Sequence, residues 1–142
     1  MKVIFLDIDG VLNDAFTIQS LLDDMPTKDH LDCLKAIVDT TGAEIVLSST
    51  WRLFPSARND VRNSLDKVGL KFIDKTKELM KGRGAEIQEW LDRHPEVDKF
   101  VILDDDDSDI KPFFPKNIVK TTMYHGLLPE HVEKAISILN AE

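Results

Sequence analysis

The sequence predicts an α/β fold in which a largely parallel sheet carries helices on its faces. Two observations carry this reading. Short apolar runs recur at Lys2–Leu6, Glu44–Leu47, Leu70–Ile73, Lys99–Leu103 and Asn117–Thr121, and amphipathic helical stretches separate most of them. Three of these runs also end in turns rich in carboxylates or hydroxyls, and sites in open α/β sheets lie outside the carboxyl ends of the strands.

The elements follow in order. Lys2-Val-Ile-Phe-Leu6 is an apolar run bounded by charge, hence a buried strand, and Gly10 lets the backbone turn sharply after Asp7 and Asp9. The Ala15–Pro26 segment receives no element. Thr27 caps a helix that runs to about Thr40, with Leu31, Leu34, Ile37 and Val38 on one face, and Gly42 ends it. Glu44–Leu47 leads into Ser48-Ser49-Thr50-Trp51-Arg52. Pro55 opens a helix that Gly69 closes. After the strand Leu70–Ile73, residues 75–82 read as loop, and a helix runs from Gly84 to His94 with Ile87, Trp90 and Leu91 inward. Lys99–Leu103 delivers the acidic run Asp104–Asp109. Pro129 starts a last amphipathic helix whose inner face is Val132, Ala135, Ile136 and Leu139.

Composition narrows the function classes. At 142 residues the chain forms one domain with a core large enough to need no staples. The early Asp7 breaks any signal-peptide pattern and no apolar run is long enough to span a membrane, so a soluble, cytoplasmic protein is expected. The single Cys33 sits among Leu31, Leu34 and Ile37 and reads as a buried thiol, and the four histidines lack zinc-ligand spacing. A formal net charge of −8 argues against a nonspecific nucleic-acid coat. The charge is nonetheless uneven: residues 51–83 carry nine lysines and arginines against four acids, and residues 84–109 carry ten acids against two basic residues.

In a parallel sheet the Asp7/Asp9, Ser48/Ser49/Thr50 and Asp104–Asp109 turns share one rim. Lys81-Gly82-Arg83-Gly84 adds two cations at a helix start, where free N–H groups also favour an anion. Phosphoryl transfer to a carboxylate needs an ionised nucleophile, a cation to suppress repulsion, donors for the phosphate oxygens and a proton for the leaving oxygen. A magnesium ion would take Asp7, the backbone carbonyl of Asp9 and carboxylates of the acidic run. The Ser48 hydroxyl and a cation at 81 or 83 would take the phosphate. A calcium loop fails on spacing, since Asp109 stands where glycine is needed and Pro115 where glutamate is. A receiver domain would need a phosphoacceptor after the third strand, where only Asp74 is offered. Arg52 is read as a clamp on substrate phosphate or as a surface ion pair, Trp51 as a base-stacking or a packing residue.

These residues resemble the haloacid-dehalogenase-like phosphohydrolase superfamily over nearly the whole chain. Asp7-Ile-Asp9-Gly-Val11 matches its first motif, Ile45-Val-Leu-Ser48 its second, Arg83 or Lys81 its third, and Leu103-Asp104-Asp105-x-x-x-Asp109 its fourth. Arg83-Gly84-x-Glu86-Ile87-x-x-Trp90-Leu91 looks like small capless members linked to RNA repair. The resemblance implies a single Rossmann-like three-layer domain over residues 1–142, with no cap domain or a minimal one. It implies Asp7 as nucleophile and Asp9 as general acid/base. Ser48 with Arg83 or Lys81 would then hold phosphate; from their place on the same rim, and not from the resemblance, Ser49 and Arg52 are candidate substrate contacts, Ser49 being read also as tightening the turn. The implied metal set is Asp7, Asp9, Asp104, Asp105 and Asp109, with Asp105 ranked first in the acidic run. Magnesium is the implied cofactor. An uncapped site suits the end of a large substrate, so a terminal phosphate on a nucleic acid is the expected partner, with a small-metabolite or phosphoprotein phosphatase, or a non-catalytic phosphate-binding module of the same fold, as the alternatives.

Overall fold

The structure, a computed structural model, describes residues 1–142. Five strands, β1 (Lys2–Leu6), β2 (Glu44–Leu47), β3 (Phe72–Lys75), β4 (Lys99–Asp104) and β5 (Ile118–Lys120), form one sheet in the order β3-β2-β1-β4-β5, and every pairing is parallel. Helices α1 (Ala15–Leu21), α2 (Lys28–Thr41), α3 (Pro55–Asp66), α4 (Arg83–Asp92) and α5 (Pro129–Leu139) complete a single three-layer, Rossmann-like α/β domain.

Alternation along β1 builds the layers. Ile4 and Leu6 face a core shared with Leu31, Leu34 and Ile37 of α2, Val61 and Leu65 of α3, and Ala135 and Leu139 of α5. Val3 and Phe5 face the opposite core with Ile87 and Trp90 of α4. All four β1 side chains are fully buried, each contributing about 1.5–3 kcal/mol by burial. Phe5 meets Trp90 edge-on, with centroids 5.4 Å apart. The chain leaves β1 toward one face, returns to β4 from the other, and so opens a crevice between these two central strands at their carboxyl ends.

Two local readings differ from the structure. The third strand is shifted toward the C-terminus, to Phe72–Lys75. Leu70 instead closes α3: its N–H bonds Leu65 O at 2.9 Å and its side chain enters the core. The unassigned segment contains α1, whose N-cap Asp14 accepts from Thr17 N–H at 2.8 Å while its own N–H donates to Thr17 Oγ1. No residue of α1 is buried, so no apolar periodicity announces it. This seven-residue helix is the one addition between β1 and α2, and no cap domain is inserted. No helix is long and apolar enough to cross a membrane.

Candidate active site

Strand register sets three chemical residues in a row. Leu6 pairs with Leu47 on one side and Leu103 on the other, so the next residues, Asp7, Ser48 and Asp104, stand side by side on one rim. Asp7 N–H donates to Leu103 O and Ser48 N–H to Leu6 O, each at 3.0 Å, which fixes the row. Asp105 then lies against the first loop: a Cβ on Gly10 would come within 2.5 Å of Asp105 Oδ2, and Gly10 has φ +79°. Glycine is required there both by conformation and by that approach.

One carboxylate oxygen from each of Asp7, Asp104 and Asp105 lies within 4.8 Å of the others. Hard oxygen donors in such a group fit magnesium, which keeps several of its own waters. Electrostatics point the same way. Arg83 Nη1 lies 2.6 Å from Asp104 Oδ2 and 3.3 Å from Asp7 Oδ1. Burial, reinforced by Asp104, pushes the Asp7 carboxyl up to about 8 despite the Arg83 charge. Burial likewise raises Asp104 against the opposing pull of Arg83. Burial works against the Arg83 charge too, but Asp7 and Asp104 outweigh it and hold the guanidinium above its ordinary value. One guanidinium is thus too little for the buried carboxylates around it, and a divalent cation would make up the difference.

Of the two candidate cations, it is Arg83 that the structure brings to this group. Arg83 opens α4, and its backbone N–H donates to Asp109 Oδ2 at 2.8 Å. Lys81 is exposed, makes no ion pair and is absent from the lining of the cleft. Asp109 is thereby occupied as an acceptor at the helix start, and its carboxylate stands outside the Asp7/Asp104/Asp105 group. The Asp9 side chain stands outside that group as well.

Asp9 is held separately. Its Oδ1 accepts from Asn13 Nδ2 at 2.9 Å and its Oδ2 from the Trp51 indole N–H at 3.1 Å. Asn13 also accepts from Gly10 N–H at 2.9 Å, closing the loop that carries Asp9. Neither Asn13 nor this bond of Trp51 is legible in the sequence, where the indole and the carboxylate are 42 positions apart. Ser48 Oγ is the one buried side-chain polar atom in the molecule without a hydrogen-bond partner. Ser49 is buried, and its hydroxyl accepts from Trp51 N–H at 3.2 Å, capping the short 3-10 turn Thr50–Leu53.

Arg52 is buried, and its guanidinium is committed to the chain itself. Nε donates to Thr76 O, Nη1 to Ser49 O and Ser48 O, and Nη2 to Glu86 Oε1 and Lys77 O, at 2.8 to 3.4 Å. These five bonds use all five N–H donors of an arginine and leave none for a substrate. The substrate contact expected of Arg52 therefore has no free donor to make it. Above the row opens a cleft of about 470 Å³ that includes Asp7, Asp9, Arg83 and Asp105, with Glu78, Asp106 and Asp109 adding further acids to its wall.

A family model described as the HAD domain in Swiss Army Knife RNA repair proteins, HAD denoting haloacid dehalogenase, matches residues 3–132. The chain belongs to this family. No curated protein and no solved structure matches it. Membership sets this HAD domain within a hydrolase superfamily. Of its four motifs, Asp7 and Asp9, Ser48, Arg83, and Asp104 with Asp105 gather at the carboxyl ends of β1, β2 and β4.

Proposed function

We propose that this HAD domain is a magnesium-dependent phosphomonoester hydrolase in which Asp7 is the nucleophile and Asp9 the general acid and base. The observation that carries this reading is the contrast between two carboxylates two residues apart. Asp7 is buried beside Arg83 and the Asp104/Asp105 pair, whereas Asp9 is turned to Asn13 and Trp51. Paired carboxylates in distinct environments divide naturally into nucleophile and proton carrier.

In this reading a carboxylate oxygen of Asp7 attacks phosphorus, the bond to the leaving oxygen breaks, and the Asp9 carboxyl gives that oxygen its proton. Asp9, now a carboxylate, takes a proton from water as the water oxygen attacks phosphorus. The bond to Asp7 breaks, inorganic phosphate leaves, and both side chains regain their starting state. Arg83 and the unpartnered Ser48 hydroxyl are the donors for phosphate oxygens, and a phosphate there would satisfy an otherwise orphaned buried group. Asp7, Asp104 and Asp105 would hold magnesium, which supplies charge neutralisation between nucleophile and phosphate.

The substrate we favour is a terminal phosphate on a nucleic acid. The uncapped cleft and the RNA-repair description of the family support it. A small phosphorylated metabolite is the second reading, and two observations favour it: the cleft wall is predominantly acidic, and the nearby basic residues are partly spent on the fold. Arg58 donates to Arg52 O at 2.7 Å, and Arg62 lies over the Phe72 ring at 5.0 Å. Purified protein assayed with magnesium on 3′- and 5′-phosphorylated oligonucleotides and on small phosphomonoesters decides between them. Efficient hydrolysis of the small esters with the oligonucleotides untouched would reject the nucleic-acid reading.

A further inference from the structure

We infer that Arg52 and Glu86 are positioning residues that together set the place of Arg83, and that Arg52 does not touch substrate. This inference rests on the phosphatase reading above.

Arg52 gathers chain ends that would otherwise be independent. Its donors reach the carbonyls of Ser48 and Ser49 after β2, those of Thr76 and Lys77 after β3, and the carboxylate of Glu86 in the first turn of α4. Glu86 completes the tie, since its second oxygen accepts from Leu79 N–H at 2.9 Å in the loop that leads into α4. The charge pair is almost fully desolvated, with Arg52 2% and Glu86 8% exposed. Glu86 lies one helical turn beyond Arg83. The pair therefore fastens the start of α4 to the rim that bears Ser48, while Asp109 grips the Arg83 N–H from the β4 side at 2.8 Å. The Arg83 guanidinium meets Asp7 and Asp104 from a helix start held on two sides.

Backbone carbonyls make this a job for arginine. A planar fork with five donors serves acceptors from three segments at once, and a lysine ammonium offers three donors from a single point. Misplacing a reacting group by an ångström costs up to about a hundredfold in rate. Loosening the pair should thus be felt at the chemical step even though neither residue takes part in it.

The test is steady-state kinetics of Arg52→Lys and Glu86→Gln in the full chain with magnesium, on an aryl phosphate, an alkyl phosphate and a 5′-phosphorylated oligonucleotide, each variant's melting curve confirming that it is folded at the assay temperature. Positioning predicts that each variant lowers kcat by roughly ten- to a hundredfold. The loss should be of similar size on all three substrates, and the double variant should be little worse than either single. If Arg52→Lys fails to fold, the isosteric Glu86→Gln carries the test alone. Unchanged kcat in the folded variants overturns the inference. So does a KM rise confined to the oligonucleotide, with Glu86→Gln improving affinity, because that pattern marks Arg52 as a direct phosphate clamp. A wild-type protein that hydrolyses none of the three overturns the phosphatase reading itself and takes this inference with it.

Discussion

The Trp51 indole N–H donates to Asp9 Oδ2 at 3.1 Å, joining the turn after β2 to the carboxylate assigned to proton transfer. The bond fixes which way Asp9 faces, and Asn13 fixes its other oxygen. Trp51→Phe keeps an aromatic ring in the site and removes only the N–H, so turnover of an alkyl phosphate should fall by about tenfold, the equivalent of one charge-assisted hydrogen bond. Asp9→Asn should cost the same substrate roughly a hundred- to ten-thousandfold. Aryl phosphates need little leaving-group protonation, and both variants should harm them less. Equal losses on aryl and alkyl esters would show that Asp9 has no part in proton transfer.

Metal dependence should sort the acidic run by geometry. Asp105 belongs to the group of converging carboxylate oxygens, whereas Asp109 is engaged at the start of α4. In magnesium titrations, Asp105→Asn should raise the concentration needed for half-maximal activity well beyond the shift produced by Asp109→Asn, and Asp107→Asn should leave it near wild type. Removing magnesium with a chelator should abolish turnover in every case. A larger shift from Asp107→Asn than from Asp105→Asn would contradict the assignment.

Gly10→Ala should damage both stability and metal binding. The left-handed backbone at φ +79° costs an alanine about 1–2 kcal/mol, and the new methyl would collide with the Asp105 carboxylate. Thermal melts should show the first effect and magnesium titration the second. A variant with wild-type magnesium affinity would mean that Asp105 does not need its place against the first loop.

Acid sensitivity should arise in part from α5. His131 Nδ1 accepts the Leu128 N–H at 2.9 Å, so protonation would set donor against donor. Burial holds its pKa below the ordinary 6.5, with Lys134 adding to the effect and Glu130 opposing it. A group whose folded pKa is depressed contributes stability that is present above its unfolded value and is lost as pH falls through the folded one. Melting temperature should therefore decline below about pH 6.5 more steeply in wild type than in His131→Gln, which retains an acceptor but does not titrate. Parallel curves for the two proteins would show that His131 has no part in acid sensitivity.

The sequence displays whatever depends on local pattern. The places of β1, β2, β4 and β5, the helix faces and the placing of three loaded turns on one rim are legible because apolar periodicity and parallel pairing dictate them, whereas the short edge strand β3 is legible only to within two residues. What stays hidden depends on partners distant in sequence or on the backbone. Arg52 looks like a substrate contact because four of its acceptors are carbonyls, which every residue has and no sequence advertises. Lys81 and Arg83 look alike because each stands beside Gly82, and the start of α4 at Arg83 separates them. Helix α1 is silent because it buries nothing, although the Asp14-x-x-Thr17 capping box that starts it could have been read.

Attack of Asp7 on phosphorus leaves a phosphorylated enzyme that can be trapped. Protein mixed with magnesium and a labelled phosphomonoester, quenched in acid during turnover and mapped by mass spectrometry, should carry the label on Asp7, and Asp7→Asn should carry none and turn over none. Label on any other side chain, or sustained turnover by Asp7→Asn, would show that Asp7 is not the nucleophile.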